Sequence, residues 1–428
     1  MANESNCMEP KGAADLPVLA DVGVIALVPD VWGGVWQPRH HILSRLSRYF
    51  HVVWCNPAIS WRRLWTLATR PGPGEFENAS IPPGMAVYNP ERFLPGVGRP
   101  RFIASWTMRQ RLRRAKGILL ARGCRKTILY IWRPHYAPAI DLIEHNINCY
   151  HIDDEYSFSP VEKPTDEREA SLIRRASEVF IHSAALLEKK GHLNPRTLLV
   201  PNGVDYEAFA TQRDEPEDLR PIPHPRMGYV GIIKDQLDLP LLLRLARYRR
   251  EWSFVFVGPQ KARLEGAEAV KELSSLPNVY FLGKKPVGEL PGYMQHMDVC
   301  MLCYVVNDYT KYIYPLKLHE YLATGRPVVG APIDSLQEFS AVVRLARTFQ
   351  EWSEALARSL SPAENSADLV EARRQVAKLH DWNDLAAIVA QTLCSRLGPD
   401  YLARLERAVF RKTREFDPQV VQSRRALA

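Results

Sequence analysis

One stretch of the chain reads Tyr314-Pro315-Leu316-Lys317-Leu318-His319-Glu320-Tyr321-Leu322-Ala323-Thr324-Gly325-Arg326-Pro327-Val328-Val329. Pro315 suits the first turn of a helix, where its missing N–H is not needed. Gly325 suits the residue that follows a helix, and the next residues, Pro-Val-Val, open a buried strand. The stretch therefore predicts a short helix followed by a strand.

The start of this helix is suited to hold a diphosphate. A helix N-terminus concentrates unpaired N–H groups and about half a positive charge. Lys317 adds a full charge beside them, and Glu320 shares its face one turn deeper, where it could accept hydrogen bonds from a ribose. The alternative is an amphipathic helix with an exposed Lys–Glu pair worth a few tenths of a kcal/mol. Spacing alone leaves both interpretations open.

Apolar runs alternate with helical patterns along the rest of the chain. A helix is expected near residues 38–49, and Ala210–Pro225 is an expected linker. The expected strands are Val22–Val28, His51–Cys55, Ala86–Tyr88, Thr127–Ile131, Asn148–Ile152, Val179–His182, Thr197–Val200, Met227–Gly231, Ser253–Val257, Val279–Leu282, Val299–Tyr304 and Val328–Gly330. This alternation predicts an α/β fold of two doubly wound domains, with ligands beyond the carboxyl ends of the strands, in the cleft between the domains.

Size and composition agree with such a protein. The chain has 428 residues, enough for two or three domains, and a formal net charge of +8. No run of about 18 apolar residues predicts a spanning helix, and the polar start lacks a signal-peptide layout. Seven scattered cysteines predict reduced thiols in the cytosol, with Cys300 and Cys303 as buried apolar residues rather than metal ligands.

Several stretches resemble one family, in the same order along the chain. They are Leu199–Phe209 (an interdomain "PNGVD…F" signature), Met227–Ile233, Trp252–Pro259, Asn278–Gly283, Asp298–Tyr304 and the opening stretch. Together they resemble GT-B glycosyltransferases of the family-4-like group. The loop 30–40 resembles that of bacterial polysaccharide-assembly enzymes of the teichuronic-acid type, and the resemblance spans roughly residues 20 to 395.

The resemblance implies a GT-B fold, which has two doubly wound Rossmann-like domains separated by a cleft. We expect an acceptor-binding domain at 1–205 and a nucleotide-sugar-binding domain at 206–395. An amphipathic helix within 396–428 is expected to pack back on the first domain. The implied activity is transfer of a sugar from a nucleotide donor to a glycan, without a required metal.

The same resemblance implies a donor site in the second domain. Its expected residues are Gly231, Lys234, Phe281, Gly283, Tyr314, Leu316, Lys317 and Glu320. Gly231 would allow a close backbone approach to phosphate, although Lys234 could equally be a solvated loop charge. The family's E-x7-E motif has a first glutamate eight residues before the second, and here that position is Tyr312. The departure leaves open whether the reaction retains or inverts configuration.

Carboxylates for acid–base chemistry follow the strand at Asn148–Ile152. Asp154 is the preferred catalytic base and Asp153 the second choice, because adjacent like charges raise one pKa. An acidic turn that caps the next helix is the alternative. Contacts to the acceptor or the sugar are expected from four residues of the first loop, which are Asp30, Gly33, Gly34 and His40.

Positive charge is concentrated in the first half. Residues 99–126 carry ten Lys or Arg and no acid, and Trp61–Ala68 places aromatic and aliphatic groups beside arginines. Both segments suggest attachment to an anionic membrane surface, although a solvated basic face is the alternative. Nucleic acid is not an expected partner, because no zinc-finger spacing or RRM-like signature is present.

The expected function is that of a peripheral enzyme on the cytoplasmic face of the plasma membrane, acting on a lipid-linked or other glycan acceptor. The expected donor carries UDP, with GDP as the second choice. Two alternatives remain, a nucleotide-sugar epimerase of the same fold and a catalytically impaired nucleotide-sugar-binding protein. Oligomeric state is not predicted.

Overall fold

Two separate parallel sheets organise the chain. The computed structural model describes residues 7–8, 16–60, 80–157, 159, 161–263 and 265–413. The first sheet contains β1 Cys7–Met8, β2 Val22–Leu27, β3 His51–Cys55, β4 Met85–Tyr88, β5 Lys126–Ile131, β6 Ile147–Ile152, β7 Glu178–Ile181 and β8 Thr197–Leu199. The second contains β9 Arg226–Val230, β10 Ser253–Val257, β11 Val279–Gly283, β12 Val299–Leu302, β13 Val328–Gly330 and β14 Val343–Leu345.

The strand order in each sheet is that of a doubly wound domain. The first sheet has the order β1-β4-β3-β2-β5-β6-β7-β8, and the second has the order β11-β10-β9-β12-β13-β14. All neighbouring pairs are parallel except β1 with β4. The order doubles back beside β2 and beside β9, which is where such sheets bind ligands.

Helices connect the strands and cover both faces of the sheets. Those of the first half are α1 Pro38–Leu46, α2 Arg101–Ala121, α3 Ala139–Leu142, α4 Glu167–Arg175, α5 Ala184–Lys190 and α6 Tyr206–Ala210. The second half adds α7 Leu239–Tyr248, α8 Glu265–Ser274, α9 Leu290–Gln295, α10 Leu316–Thr324, α11 Asp334–Gln337, α12 Phe349–Ser359, α13 Ala367–Lys378, α14 Trp382–Leu397 and α15 Pro399–Thr413. No helix in the described ranges combines the length and apolar character needed to cross a bilayer.

Strand β2 shows why the sequence forms a covered parallel sheet. All six of its residues are buried, and β3 and β5 flank it. Val24 and Ala26 pack into one apolar cluster and Ile25 and Leu27 into another, because successive side chains point to opposite faces. A strand buried on both faces needs a continuous apolar run rather than an alternating one. The predicted α/β fold of two doubly wound domains is thus confirmed.

Predicted and observed strand ends agree within two residues. Two strands were not predicted, the two-residue β1 and β14, whose three residues include Arg344 and offer no apolar run. The helix expected at 38–49 ends at Leu46. Cys300 and Cys303 are buried free thiols, as expected. The segment Trp61–Ala68 lies outside the described residues.

The chain crosses between the domains at two neighbouring points. Val204 donates its backbone N–H to the His380 carbonyl at 3.0 Å, and Trp382 donates to the Val204 carbonyl at 2.9 Å. Gly203 is required here, since a Cβ would lie 2.4 Å from the His380 carbonyl oxygen. Helix α14, assigned to the second domain on the sequence, instead packs on α1 in the first domain's core, so the return crossing precedes residue 382.

Candidate functional site

A hydrogen bond joins the two domains across the cleft. Asp154 follows β6 of the first domain, and the Tyr309 hydroxyl of the second domain donates to its Oδ1 at 3.2 Å. Burial lowers the pKa of the Lys234 ammonium, the Lys317 charge lowers it further, and Asp154 opposes both effects. Carboxylate and cations from facing strand ends therefore meet in one electrostatic cluster.

Helix α10 carries Lys317 in its first turn. Its N-cap is Pro315, which was expected inside the first turn, so the helix begins one residue later than expected. Gly325 ends it in the left-handed conformation at φ +79°. The Lys317 ammonium lies 5.1 Å from the centre of the Tyr229 ring. Gly231 has φ +149°, and a Cβ there would lie 2.5 Å from Lys317 Cε. Glycine thus leaves room for the lysine beside the loop after β9.

Glu320 lies one turn further along α10. Burial raises the pKa of its carboxyl to about 7, although the neighbouring Lys317 ammonium lowers it. A carboxyl in this state can accept or donate a hydrogen bond near neutral pH. The pair Lys317 and Glu320 therefore shares one face, as the spacing predicted, and both residues are half-buried rather than fully exposed to solvent.

The two adjacent aspartates have opposite environments. Asp153 is 3% exposed and pairs with both Arg39 and Arg133. Burial would raise the pKa of Asp153, but the two guanidinium groups overcome it and hold that pKa well below its usual range. Burial and then the charge of Asp153 raise the pKa of Asp154 to about 6. Asp154 is therefore suited to accept a proton near neutral pH, whereas Asp153 is held as a permanent anion.

Residues of the first loop differ in how deeply they are buried and in what they contact. Gly33 and Gly34 lie in the turn after β2, where the Gly34 N–H donates to the Val31 carbonyl. Asp30 pairs with Arg39, which links this loop to the Asp153 pair. The prediction that His40 contacts a sugar is not supported. Its ring is fully buried, and both nitrogens bond backbone groups of the loop.

The stretch Tyr314–Val329 also makes contacts between the two domains. The Tyr314 hydroxyl hydrogen-bonds His319 Nε2 at 2.9 Å. The backbone carbonyl of Tyr314 accepts a hydrogen bond from Asn202 Nδ2 at 2.7 Å. Leu316 packs against the core of the first domain. The side chains of Tyr314 and Leu316 are thus used in packing, and donor contacts of these two residues stay a prediction.

Residues after β10 and within β11 lie at one edge of the second sheet. The Phe281 ring stacks on Phe256 with centroids 4.9 Å apart. Gly283 has φ +70°, and its carbonyl accepts the Gly258 N–H at 2.8 Å. Phe281 therefore fixes the strand through its ring, and the backbone at Gly283 still pairs with the end of β10.

Tyr312 occupies the position where the family motif has a glutamate. Its ring packs in the apolar cluster of the first domain, and its hydroxyl donates to Glu162 at 2.7 and 2.8 Å. Lys189 and Lys311 bind the same carboxylate, and they lower the pKa of Glu162 to about 2 against the effect of burial. The substitution thus converts a sugar-binding position of the motif into an interdomain contact.

Four residues of this cluster were not singled out on the sequence. Arg39 and Arg133 hold Asp153, Tyr309 bonds Asp154, and Glu162 binds Tyr312. Arg39 lies in the first turn of α1, within the stretch 30–40 that marked the resemblance, and Arg133 follows β5. The resemblance was thus a usable signal for Arg39, and a strand end was one for Arg133. Tyr309 and Glu162 lie in irregular segments, where spacing carries no such signal.

Metal-binding clusters of three or more His, Cys, Asp or Glu are absent from the described part of the chain.

The sequence of the second domain matches the Glycosyl transferases group 1 family over residues 224–372. TuaH of Bacillus subtilis (strain 168), provisionally named a teichuronic acid biosynthesis glycosyltransferase, is 31% identical over 198 residues. That alignment covers 44% of this chain and 48% of TuaH, so it spans about half of the relative's length.

Solved structures share the whole architecture. An Escherichia coli trehalose-6-phosphate protein bound to UDP-2-fluoro glucose has a TM-score of 0.61 at 10% identity, covering 87% of this chain and 98% of that one. WaaG, a glycosyltransferase involved in lipopolysaccharide biosynthesis, has a TM-score of 0.56 at 13% identity, covering 86% and 98%. At these identities the similarity shows the fold. The chain therefore has the GT-B fold, and its residues 224–372 match the Glycosyl transferases group 1 family.

Proposed function

We propose that this protein is a glycosyltransferase that moves a sugar from a nucleotide-sugar donor to a glycan acceptor in bacterial cell-surface polysaccharide synthesis. The observation that carries the proposal is the position of Lys234, which lies near Lys317 and, across the cleft, near Asp154. The family match of the second domain and the name of TuaH support the same class of reaction.

In the proposed reaction, an acceptor hydroxyl attacks the anomeric carbon as the bond from that carbon to the diphosphate oxygen breaks. Asp154 takes the hydroxyl proton, and the departing diphosphate keeps the electron pair of the broken bond. Lys317, Lys234 and the N-terminus of α10 would stabilise the charge that develops there. This assignment of Asp154 as base corresponds to inversion of configuration.

UDP is the proposed nucleotide and GDP the second choice. UDP-2-fluoro glucose is bound by one protein of the same fold, which supports this order. Glu320 would meet the ribose hydroxyls one turn beyond the diphosphate, because it shares a face of α10 with Lys317. The backbone near Gly283 would contact the nucleobase of the donor.

A screen of UDP- and GDP-sugars with a lipid extract tests the function. Transfer to the extract, with the anomeric configuration determined by NMR, supports the proposal. An epimerised donor would identify the epimerase alternative, and donor binding without turnover would identify a binding protein. Asp154→Asn is the control, since it should abolish transfer while donor affinity remains.

We also propose that the acceptor is lipid-linked and that helix α2 meets the inner leaflet of the plasma membrane. Phe102 and Trp106 are 73% and 54% exposed, and Arg109 and Arg113 continue the same stripe of the helix. Exposed aromatic groups beside cations suit an anionic interface, where each cation contributes about 1 kcal/mol.

Cosedimentation with phosphatidylglycerol vesicles tests this surface. Arg109→Glu with Arg113→Glu should reduce pelleting about tenfold or more at low salt, because two charges change sign. Lys378→Glu, an exposed site on the second domain, is the matched control. Equal pelleting of the double variant and the wild type would remove the membrane proposal and leave the transferase proposal standing.

A further inference from the structure

A small pocket lies at the carboxyl ends of three strands in the first domain, beneath helix α2. Its volume is about 40 Å³, room for roughly three ordered waters. Leu27, Cys55 and Tyr88, the last residues of β2, β3 and β4, form its floor, and Met108, Arg111 and Leu112 of α2 form its roof. Ligands of doubly wound sheets bind at this end of the strands.

Most polar groups of this pocket are already committed to protein partners. The Tyr88 hydroxyl donates to Glu91 at 2.6 Å, and the Tyr136 hydroxyl donates to the Val28 carbonyl at 2.8 Å. Arg111 differs, because its guanidinium makes one hydrogen bond, at 3.4 Å, to the Leu94 carbonyl. Within the described ranges, no carboxylate pairs with Arg111. A guanidinium carries five N–H donors, so most of its capacity is unused.

Arg111 is therefore open to an anionic ligand. Its side chain is half-buried, and no carboxylate of the described residues restores the part of its solvation that it has lost. Burial accordingly lowers the pKa of Arg111. A guanidinium fork matches the oxygens of a phosphoryl group and is the usual choice for recognising one. A phosphoryl group would fill most of this volume, so an apolar chain attached to it would leave the pocket past the apolar side chains of Leu27, Met108 and Leu112.

The pocket adjoins the carboxylate cluster of the cleft. Tyr136 lines the pocket beside Arg111, and the charges of Arg111, Asp30 and Arg133 all act on its hydroxyl. Asp30 and Arg133 belong to the network that fixes Asp153, the residue before Asp154. A ligand held by Arg111 would therefore have its attached sugar on the side of Asp154. Above the pocket, the outer face of α2 carries the exposed Phe102 and Trp106.

We propose that Arg111 binds a phosphoryl group of the acceptor, in the pocket beneath α2. The identity of that ligand as an acceptor rests on the proposed transferase function, whereas binding of a phosphate ester does not. The phosphoryl group could belong to a lipid carrier or to a soluble phosphate, and the two sources share the same recognition chemistry.

Calorimetric titration of the full chain tests the site without any donor. The probes are decyl phosphate, below its micellar concentration, and inorganic phosphate. Arg111→Met should weaken binding of decyl phosphate about tenfold or more, because it removes a charge-assisted hydrogen bond. Lys378→Met removes a positive charge from an exposed site on the second domain and should bind like the wild type. Preference for decyl phosphate would indicate the lipid source, and equal binding of both probes the soluble source.

Thermal unfolding separates ligand binding from a structural role of Arg111. Methionine has a similar length and is apolar, so Arg111→Met should unfold at the same or a higher temperature if the cation is uncompensated in the free protein. A lower unfolding temperature would overturn the proposal, and so would unchanged binding of decyl phosphate. If the donor screen finds no transfer, these two measurements still decide whether the pocket binds phosphate.

Discussion

Replacing Tyr309 by phenylalanine removes the hydroxyl that the second domain donates to Asp154. The bond is 3.2 Å long and its acceptor is a carboxylate. Hydrogen bonds to charged groups contribute about 1.5–3 kcal/mol, and this long one belongs at the lower end. Since about 1.4 kcal/mol corresponds to one pKa unit, the pKa of Asp154 should rise by about one unit.

The direction of the pH effect follows from the proposed role. Asp154 must be ionised to act as a base, and its pKa is about 6 in the intact site. With a pKa near 7 in Tyr309→Phe, the ionised fraction at pH 6 falls from about a half to about a tenth. The acid limb of kcat/KM should therefore move upward by about one unit, while the plateau at high pH changes less.

The assay is the pH dependence of kcat/KM between pH 5 and 9, measured at constant ionic strength. Tyr312→Phe is the matched control, because its hydroxyl also crosses the domain boundary but bonds Glu162 instead of Asp154. That variant should keep the acid limb in place. An unchanged acid limb in Tyr309→Phe, or an equal shift in both variants, would refute the assignment of Asp154 as the titrating base.

Three further predictions concern the same cleft. Lys317→Ala should weaken nucleotide-sugar binding about tenfold or more, because it removes a charge-assisted contact to the diphosphate; an unchanged dissociation constant by calorimetry would contradict it. Gly231→Ala should also weaken donor binding, since its Cβ would lie 2.5 Å from Lys317 Cε, and normal binding with an unaltered far-UV spectrum would argue against the close approach. Asp153→Asn should lower the free energy of unfolding by about 3–5 kcal/mol, because it leaves the buried Arg39 without its full counter-charge. Urea denaturation measures this, and a loss below about 1 kcal/mol would show that the pair is not stabilising.

The sequence was most informative where local rules and the fold agree. Buried parallel strands such as Val22–Leu27 need continuous apolar runs, so their positions were predicted closely. Gly325 ends α10 in the left-handed conformation, as its position in the stretch indicated. Lys317 and Glu320 share a face because helical spacing alone determines that relation.

Long-range contacts account for what the sequence did not reveal. The sequence ranked Asp154 ahead of Asp153 as the base but did not reveal the partners of Asp153, because Arg133 lies 20 residues away from it and Arg39 more than 100. Those partners decide which aspartate keeps a raised pKa. The substitution at Tyr312 was visible as a departure from the family motif. Its contact with Glu162 depends on how the two domains meet, which no local pattern encodes.

The two neighbouring crossings of the chain constrain how the domains can move. Val204 bonds backbone groups on both sides of Asp381, so both connections are fastened at one short ladder. Such an attachment permits a swing about one line and resists sliding. A swing that opens the cleft would separate Tyr309 from Asp154, since the two belong to different domains. In the proposed reaction, an open cleft would leave Asp154 misaligned, so hydrolysis of the donor sugar by water would be slow until the acceptor is enclosed.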